Sequence, residues 1–291
     1  MNAQLKAELT SITVNNMAKI FTGNGRRVSN VPGPSGGKRP KFVIKYGPPA
    51  SGKGSAGVRA VMKKFGDPLS SYINISVDDV VESTQAFKNR SRALVNSLLK
   101  NPTNANFNAF LNHATAEQVK AFASAYTSVR FGKNMTGANF GAKLNDVLIQ
   151  ALEAGKNITF ETTGALKFPS WIWSTYKDLL RKYRIYIIFP MVPFEETWRR
   201  YKKRPANAYR NGVSGFRFAS TKSQLRQDYV SSYKFMRGAL GSTKVSWVDK
   251  IYLLPFSEPT PYIIYPKRES GNRQGPAIRK ILSPYINNTN K

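Results

Sequence analysis

Gly47-Pro48-Pro49-Ala50-Ser51-Gly52-Lys53-Gly54-Ser55 is the stretch whose reading decides the fold. It satisfies G-x-x-x-x-G-K and follows Phe42-Val43-Ile44-Lys45-Tyr46, a largely apolar run that reads as a buried strand. Gly47 and Gly52 carry no Cβ, so the main chain can curl until successive N–H groups point inward and form an anion nest at a helix N-terminus. Lys53 then reaches the β- and γ-phosphates as a point charge. A plain Gly/Pro turn has no need of a lysine at this spacing, or of the helix expected over residues 54–62. Gly47, Ser51, Gly52, Lys53, Gly54 and Ser55 are therefore the expected contacts for the phosphates of a nucleotide.

Position 54, where this motif usually carries a Ser or Thr on Mg²⁺, is glycine, and Ser55 supplies the next hydroxyl. Adenylate kinases show the same G-P-P-x-x-G-K-G-[ST] form, and that resemblance implies that the variant is compatible with a Mg-nucleotide site. The rest of the chain narrows the chemistry. There is no cysteine, which removes disulfides, thiolate nucleophiles and thiolate metal sites. The single histidine, His113, lies in an Asn-rich polar stretch and reads as a surface residue. Metal chemistry is left to oxygen donors, and beside a phosphate loop that means Mg²⁺.

The 291 residues suffice for one large α/β domain, and 41% hydrophobic with 12% aromatic content argues against wholesale disorder. Lys plus Arg number 45 against 16 Asp plus Glu, a formal charge of +29. Such an excess favours polyanionic partners, nucleic acid among them, unless it reflects only a general Lys/Arg bias. No window approaches the roughly 18 apolar residues of a membrane span, and the N-terminus lacks a charged-then-apolar signal pattern, so an intracellular, cytoplasmic location is expected.

Three units are expected: an arm or linker over 1–40, a P-loop kinase-like domain over 41–260 and a basic tail over 261–291. Residues 1–20 carry Leu5, Leu9, Ile12 and Met17 roughly on one side of a short helix, while 22–40 are Gly, Pro, Ser, Asn and basic residues with the composition of a linker. Strands are expected over 41–46, 71–77, 157–161, 184–189 and 251–254, the last being the final strand. Helical patterns fill the intervals, including an insertion over 101–131. Alternating strands and helices make a P-loop NTPase-type parallel sheet with helices on both faces, and ligands then sit at the carboxyl ends of the strands.

Three groups fall at such ends: the phosphate loop, Asp78-Asp79 and Glu161-Thr162-Thr163. Asp78, first past its strand, is the preferred acid to take a proton from an acceptor hydroxyl; Asp79 competes for that role or contacts substrate, and both could instead cap a following helix. Glu161 is a candidate to support Mg²⁺ with Ser55, and Thr162 and Thr163 to bind substrate hydroxyls or phosphates. Between Thr197 and Gln227 no acidic residue occurs, while Arg199, Arg200, Lys202, Lys203, Arg204, Arg210, Arg217, Lys222 and Arg226 accumulate. Such a run suits a basic lid over a transferring phosphoryl group, or a polyanion-binding surface with Tyr201, Tyr209, Phe216 and Phe218 as stacking faces.

With these parts together, the chain resembles the zeta toxin group of P-loop kinases. The matching residues are the loop with Lys53, Ile75-Ser76-Val77-Asp78-Asp79-Val80, Ile158-Thr159-Phe160-Glu161-Thr162-Thr163-Gly164, and Ile187-Ile188-Phe189-Pro190-Met191-Val192-Pro193 followed by Trp198-Arg199-Arg200-Tyr201, spanning roughly residues 40–230. The resemblance implies ATP- or GTP-dependent phosphorylation of a hydroxyl on a small molecule, typically an amino-sugar nucleotide, with the aspartate as base and two lid arginines on the phosphates. Arg200 carries over as the first arginine; for the second, Arg217 fits better than Arg210. Two alternatives stay open: a polynucleotide 5′-hydroxyl kinase, and a nucleic-acid-associated structural or packaging protein with an inactive kinase fold.

Overall fold

A computed structural model of the chain describes residues 7–8, 11–23, 25–98, 140–163, 169–210, 221–240, 242–258, 260–266 and 275–287. The strands are β1 Lys41–Tyr46, β2 Tyr72–Ile75, β3 Asn157–Thr162, β4 Arg184–Met191, β5 Lys250–Pro255 and β6 Tyr262–Ile264. They form one sheet in the order β2-β3-β1-β4-β5-β6. The first five run parallel, and β6 is antiparallel to β5. The helices among the described residues are α1 Val14–Phe21, α2 Ala56–Lys63, α3 Val77–Ser83, α4 Gln85–Leu98, α5 Phe140–Glu153, α6 Ser170–Leu180, α7 Phe194–Arg210, α8 Lys222–Leu240 and α9 Gly275–Asn287. None of them is long and apolar enough to cross a membrane.

The pleat of β1 explains the layering. Side chains alternate across a strand, so Phe42, Ile44 and Tyr46 enter the larger apolar layer while Val43 enters the smaller one. The larger layer gathers Met17 and Phe21 of α1, Val147 and Leu148 of α5, Ile172 of α6, and Tyr229 and Tyr233 of α8. The smaller is closed by Val58, Val61 and Met62 of α2, which follows the phosphate loop. The fold is therefore a mixed α/β sheet with helices on both faces.

Several segments differ from their sequence expectation. Residues 22–40, with the composition of a linker, bury Val28 and Val31 in the larger layer, and the Ser35 amide donates to Asp67 Oδ1 at 2.8 Å. Few apolar anchors suffice when the backbone between them is pinned by hydrogen bonds. The chain beyond 261 adds the edge strand β6 and the helix α9, whose Leu282 and Ile286 are buried and whose Tyr285 ring stacks on Tyr233 with centroids 5.3 Å apart. The helix after the phosphate loop starts at Ala56, with Ser55 as its cap. The second strand stops at Ile75, because the Ser76 hydroxyl accepts the Asp79 amide and starts α3 there. The insertion expected over 101–131 lies outside the described residues.

Candidate functional site

The chain turns sharply as it leaves β1. Gly47 has φ 148° and Gly52 φ 88°. A Cβ at Gly47 would lie 3.0 Å from Ser51 Oγ, and one at Gly52 3.0 Å from Arg200 Nη1; the backbone conformation at both favours glycine, and the space beside them is tight. Ala50 is the one non-glycine described residue with positive φ, at 59°. Nothing crowds Gly54, so glycine there is not a steric requirement. The Ser55 hydroxyl accepts the Val58 amide at 3.4 Å, capping α2 and directing its N-terminus into the loop, where the helix field favours an anion. The Ser51 hydroxyl is 1% exposed, and no described residue partners it. A buried donor in this loop, with no protein acceptor, is what an incoming phosphate oxygen would satisfy.

Lys53 is also buried. Its Nζ donates to the carbonyls of Gly47 at 2.9 Å and Pro48 at 3.0 Å, and lies 3.9 Å from Glu161 Oε1. Glu161 reaches it from β3, where the parallel register sets it opposite Lys45. The carbonyls of both threonines are engaged: Thr162 C=O accepts the Gly47 amide at 3.3 Å, and Thr163 C=O accepts the Ser232 hydroxyl at 2.8 Å. Neither lines the cleft beside the loop.

That cleft, of about 340 Å³, is lined by Ala50, Gly52, Lys53, Gly54, Ser55, Ser76, Asp79, Glu161 and Arg200. Asp79 is among them and Asp78 is not. The choice of Asp78 as first past the strand assumed extended chain up to residue 77, whereas both acids sit in the first turn of α3. Neighbouring helical residues diverge by about 100°, and of the two acids it is Asp79 that lines the cleft. Behind Asp79 lies a polar group that the sequence reading did not single out. Asn74 Nδ2 donates to Asp79 Oδ2 at 3.1 Å, while Asn74 Oδ1 accepts from Lys45 Nζ at 3.1 Å and from Thr159 Oγ1 at 2.6 Å. Burial pushes Lys45 below the ordinary lysine value, against the pull of Glu161 and then Asp79. The available signal was a lysine two residues before the loop in an otherwise apolar strand.

Arg200 comes from α7. Its Nε donates to Glu196 Oε1 at 2.7 Å, and its guanidinium lies 5.1 Å from the centroid of the Phe256 ring. Glu196 also accepts two hydrogen bonds from Arg199, at 2.5 and 2.7 Å. The Arg199 hydrogen bonding foremost, joined by that of Arg200 and working against burial, holds Glu196 down to about 2. Glu195 accepts from Lys222 at 3.1 Å and lies 3.9 Å from Arg226. Four members of the basic run thus have acid partners just upstream of the window that looked free of acids. Arg200 also borders a second hollow, of about 300 Å³, between α2 and the ends of β4 and β5, with Ser51, Lys64, Leu254 and Phe256. Arg217 lies outside the described residues.

Among the described residues no three His, Cys, Asp or Glu side chains cluster closely enough to cage a metal. The donors around the cleft, Glu161, Asp79 and Ser55, are hard oxygen ligands. Mg²⁺ binds through one or two carboxylates together with substrate phosphates, so this donor set fits it without a protein cage.

No family model and no curated protein matches the sequence. A solved structure of the PezAT chromosomal toxin–antitoxin system of Streptococcus pneumoniae contains a similar chain, at 10% identity over 97% of this chain and 99% of that chain, with a TM-score of 0.46.

Proposed function

We propose that this chain is a Mg²⁺-dependent P-loop kinase of zeta-toxin type, which moves the γ-phosphoryl group of ATP or GTP to a hydroxyl of a small molecule or nucleotide-sugar. One observation carries this reading: Lys53 from the loop, Asp79 from α3, Glu161 from β3 and Arg200 from α7 line one cleft at the carboxyl edge of the sheet. Phosphoryl transfer asks of a protein mainly positioning and charge neutralisation, and these are the groups that supply them.

The loop amides and Ser51 hold the phosphate chain, and Lys53 swings from its two carbonyl partners to the terminal phosphates. Asp79 accepts the acceptor's proton as its oxygen attacks the γ-phosphorus. The bond to the β–γ bridging oxygen breaks, and the nucleoside diphosphate leaves. Arg200, held by Glu196, offsets the charge that accumulates on the transferring group. Glu161 and Ser55 would hold Mg²⁺, which when bound neutralises phosphate charge. The aromatic face of Phe256 beside Arg200 gives the base a stacking surface in the second hollow. Arg217 would serve as the second lid arginine.

Calorimetry with ATP and GTP, with and without Mg²⁺, tests the reading first: saturable, Mg²⁺-assisted binding is expected, and none at millimolar nucleotide would sink it. The two acids are then separated by substitution. Asp79→Asn is expected to lower transfer about 10²–10⁴-fold, the range for loss of a general base, whereas Asp78→Asn stays within about threefold. The reverse pattern would return the role to Asp78.

The charge of +29 favours a second reading of the acceptor, a polynucleotide 5′-hydroxyl. Labelled ATP offered to sugar nucleotides and to 5′-hydroxyl oligonucleotides decides between the two.

A further inference from the structure

The polar group behind Asp79 is built from three adjacent strands. Lys45 stands on β1, Asn74 on β2 and Thr159 on β3, and the registers Lys45↔Glu161 and Asn74↔Thr159 bring them together on the α2 side of the sheet. Their hydrogen bonds have a definite direction. A lysine ammonium is donor only, so the oxygen of the Asn74 amide must face Lys45. The Thr159 hydroxyl donates to that same oxygen and occupies its second lone pair. The amide therefore cannot flip, and its NH₂ is turned toward Asp79 Oδ2. The amide also anchors the acid from outside α3, on a strand whose position is set by the sheet.

We propose that Asn74, locked by Lys45 and Thr159, is a positioning residue that fixes the Asp79 carboxylate in the rotamer used for proton transfer. This rests on the kinase reading of the same cleft. Neither Asn74 nor Thr159 lines that cleft, so their influence on the reaction runs through Asp79. A half-buried lysine beside the loop is costly to keep unless its charge is used, and here it orients an amide and lies within the fields of Glu161 and Asp79.

The test is Mg²⁺-ATP turnover, read as phosphate release with water as acceptor, in the full chain. Asn74→Asp keeps acceptors for Lys45 and Thr159 and preserves packing, but it sets a carboxylate against Asp79 in place of a donor. It is expected to lower kcat about 10–100-fold, the range for a reacting group displaced by up to 1 Å, with the KM for ATP and the melting temperature little changed. Thr159→Val, which leaves Lys45 as sole donor to the amide, should fall between the two. In the Asp79→Asn background, Asn74→Asp should cost nothing further, because a residue acting through Asp79 has nothing left to position. Full turnover by Asn74→Asp, or an equal further loss in the Asp79→Asn background, overturns the assignment while Lys53 and Asp79 variants still bear out the kinase. A wild-type chain that neither binds nor turns over ATP overturns the kinase reading and this inference with it.

Discussion

Lys53→Met is expected to abolish the proposed phosphoryl transfer, lowering turnover by about a thousandfold or more, the scale on which removal of a preorganised charge-stabilising donor is felt. The chain still folds. Lys53 is buried among the loop carbonyls of Gly47 and Pro48, with Glu161 3.9 Å away. Methionine keeps the stem's packing and removes an ammonium that is costly to bury. Loop curvature comes from Gly47 and Gly52 and the cap on α2 from Ser55, none of which depends on Lys53. The expected result is an unchanged melting transition, weakened ATP affinity and no measurable transfer. A Lys53→Met protein that transfers phosphate at the wild-type rate would remove the site from the cleft.

The largest effect on stability is expected at the opposite end of the same strand. Lys41, the first residue of β1, pairs with Asp67, and both are buried, at 5% and 4% exposure. Asp67→Asn leaves the Lys41 ammonium without a counter-charge inside the protein, and breaking one side of such a pair costs about 3–5 kcal/mol. The Ser35 amide is left with a weaker acceptor as well, so residues 22–40 loosen too. Burial alone would raise the Asp67 carboxyl, but the Lys41 and Ser35 hydrogen bonds and the Lys41 charge outweigh it and hold the group below its ordinary value. A depressed carboxylate stabilises the fold above its unfolded value of about 3.9, and that stability is lost as the pH falls through the lower folded value. Urea midpoints should therefore separate wild type from Asp67→Asn widely at neutral pH and converge as the pH drops below about 4. Equal midpoints at pH 7 would show that the pair contributes nothing. The double change Lys41→Met with Asp67→Leu should recover most of the loss, since a buried pair replaced by apolar residues of similar size is often neutral or stabilising.

How much of this was legible in the chain follows from how local each cause is. Gly47, Gly52 and Lys53 work through spacing within nine residues, and the structure closes the loop with them. Arg200 was legible within the Trp198-Arg199-Arg200-Tyr201 stretch and the basic run, but its partner Glu196 went unread because the basic window began one residue past it. Asp79 was distinguishable from Asp78 only once the start of α3 was known, because a shift of one residue turns a side chain by about 100°. Thr162 and Thr163 sit where expected in the chain, but their carbonyls tie the end of β3 to the loop and to α8. The segments with linker and tail compositions contribute to the core through a few anchors each, and composition averages such anchors away.

From its residues alone the chain determines a strand, a phosphate-shaped turn and a helix in succession, an alternation of elements that yields a parallel sheet, and the exclusion of thiolate chemistry. These follow from short-range sterics, from hydrophobic periodicity and from the absence of cysteine. Which polar side chains meet behind the loop, and what Lys41 and Lys45 hold, were decided only when strands far apart in the chain came into register. Lys45, Asn74 and Thr159 meet because hydrogen-bonded parallel strands set a residue opposite one partner and no other, and that pairing is a property of the assembled sheet.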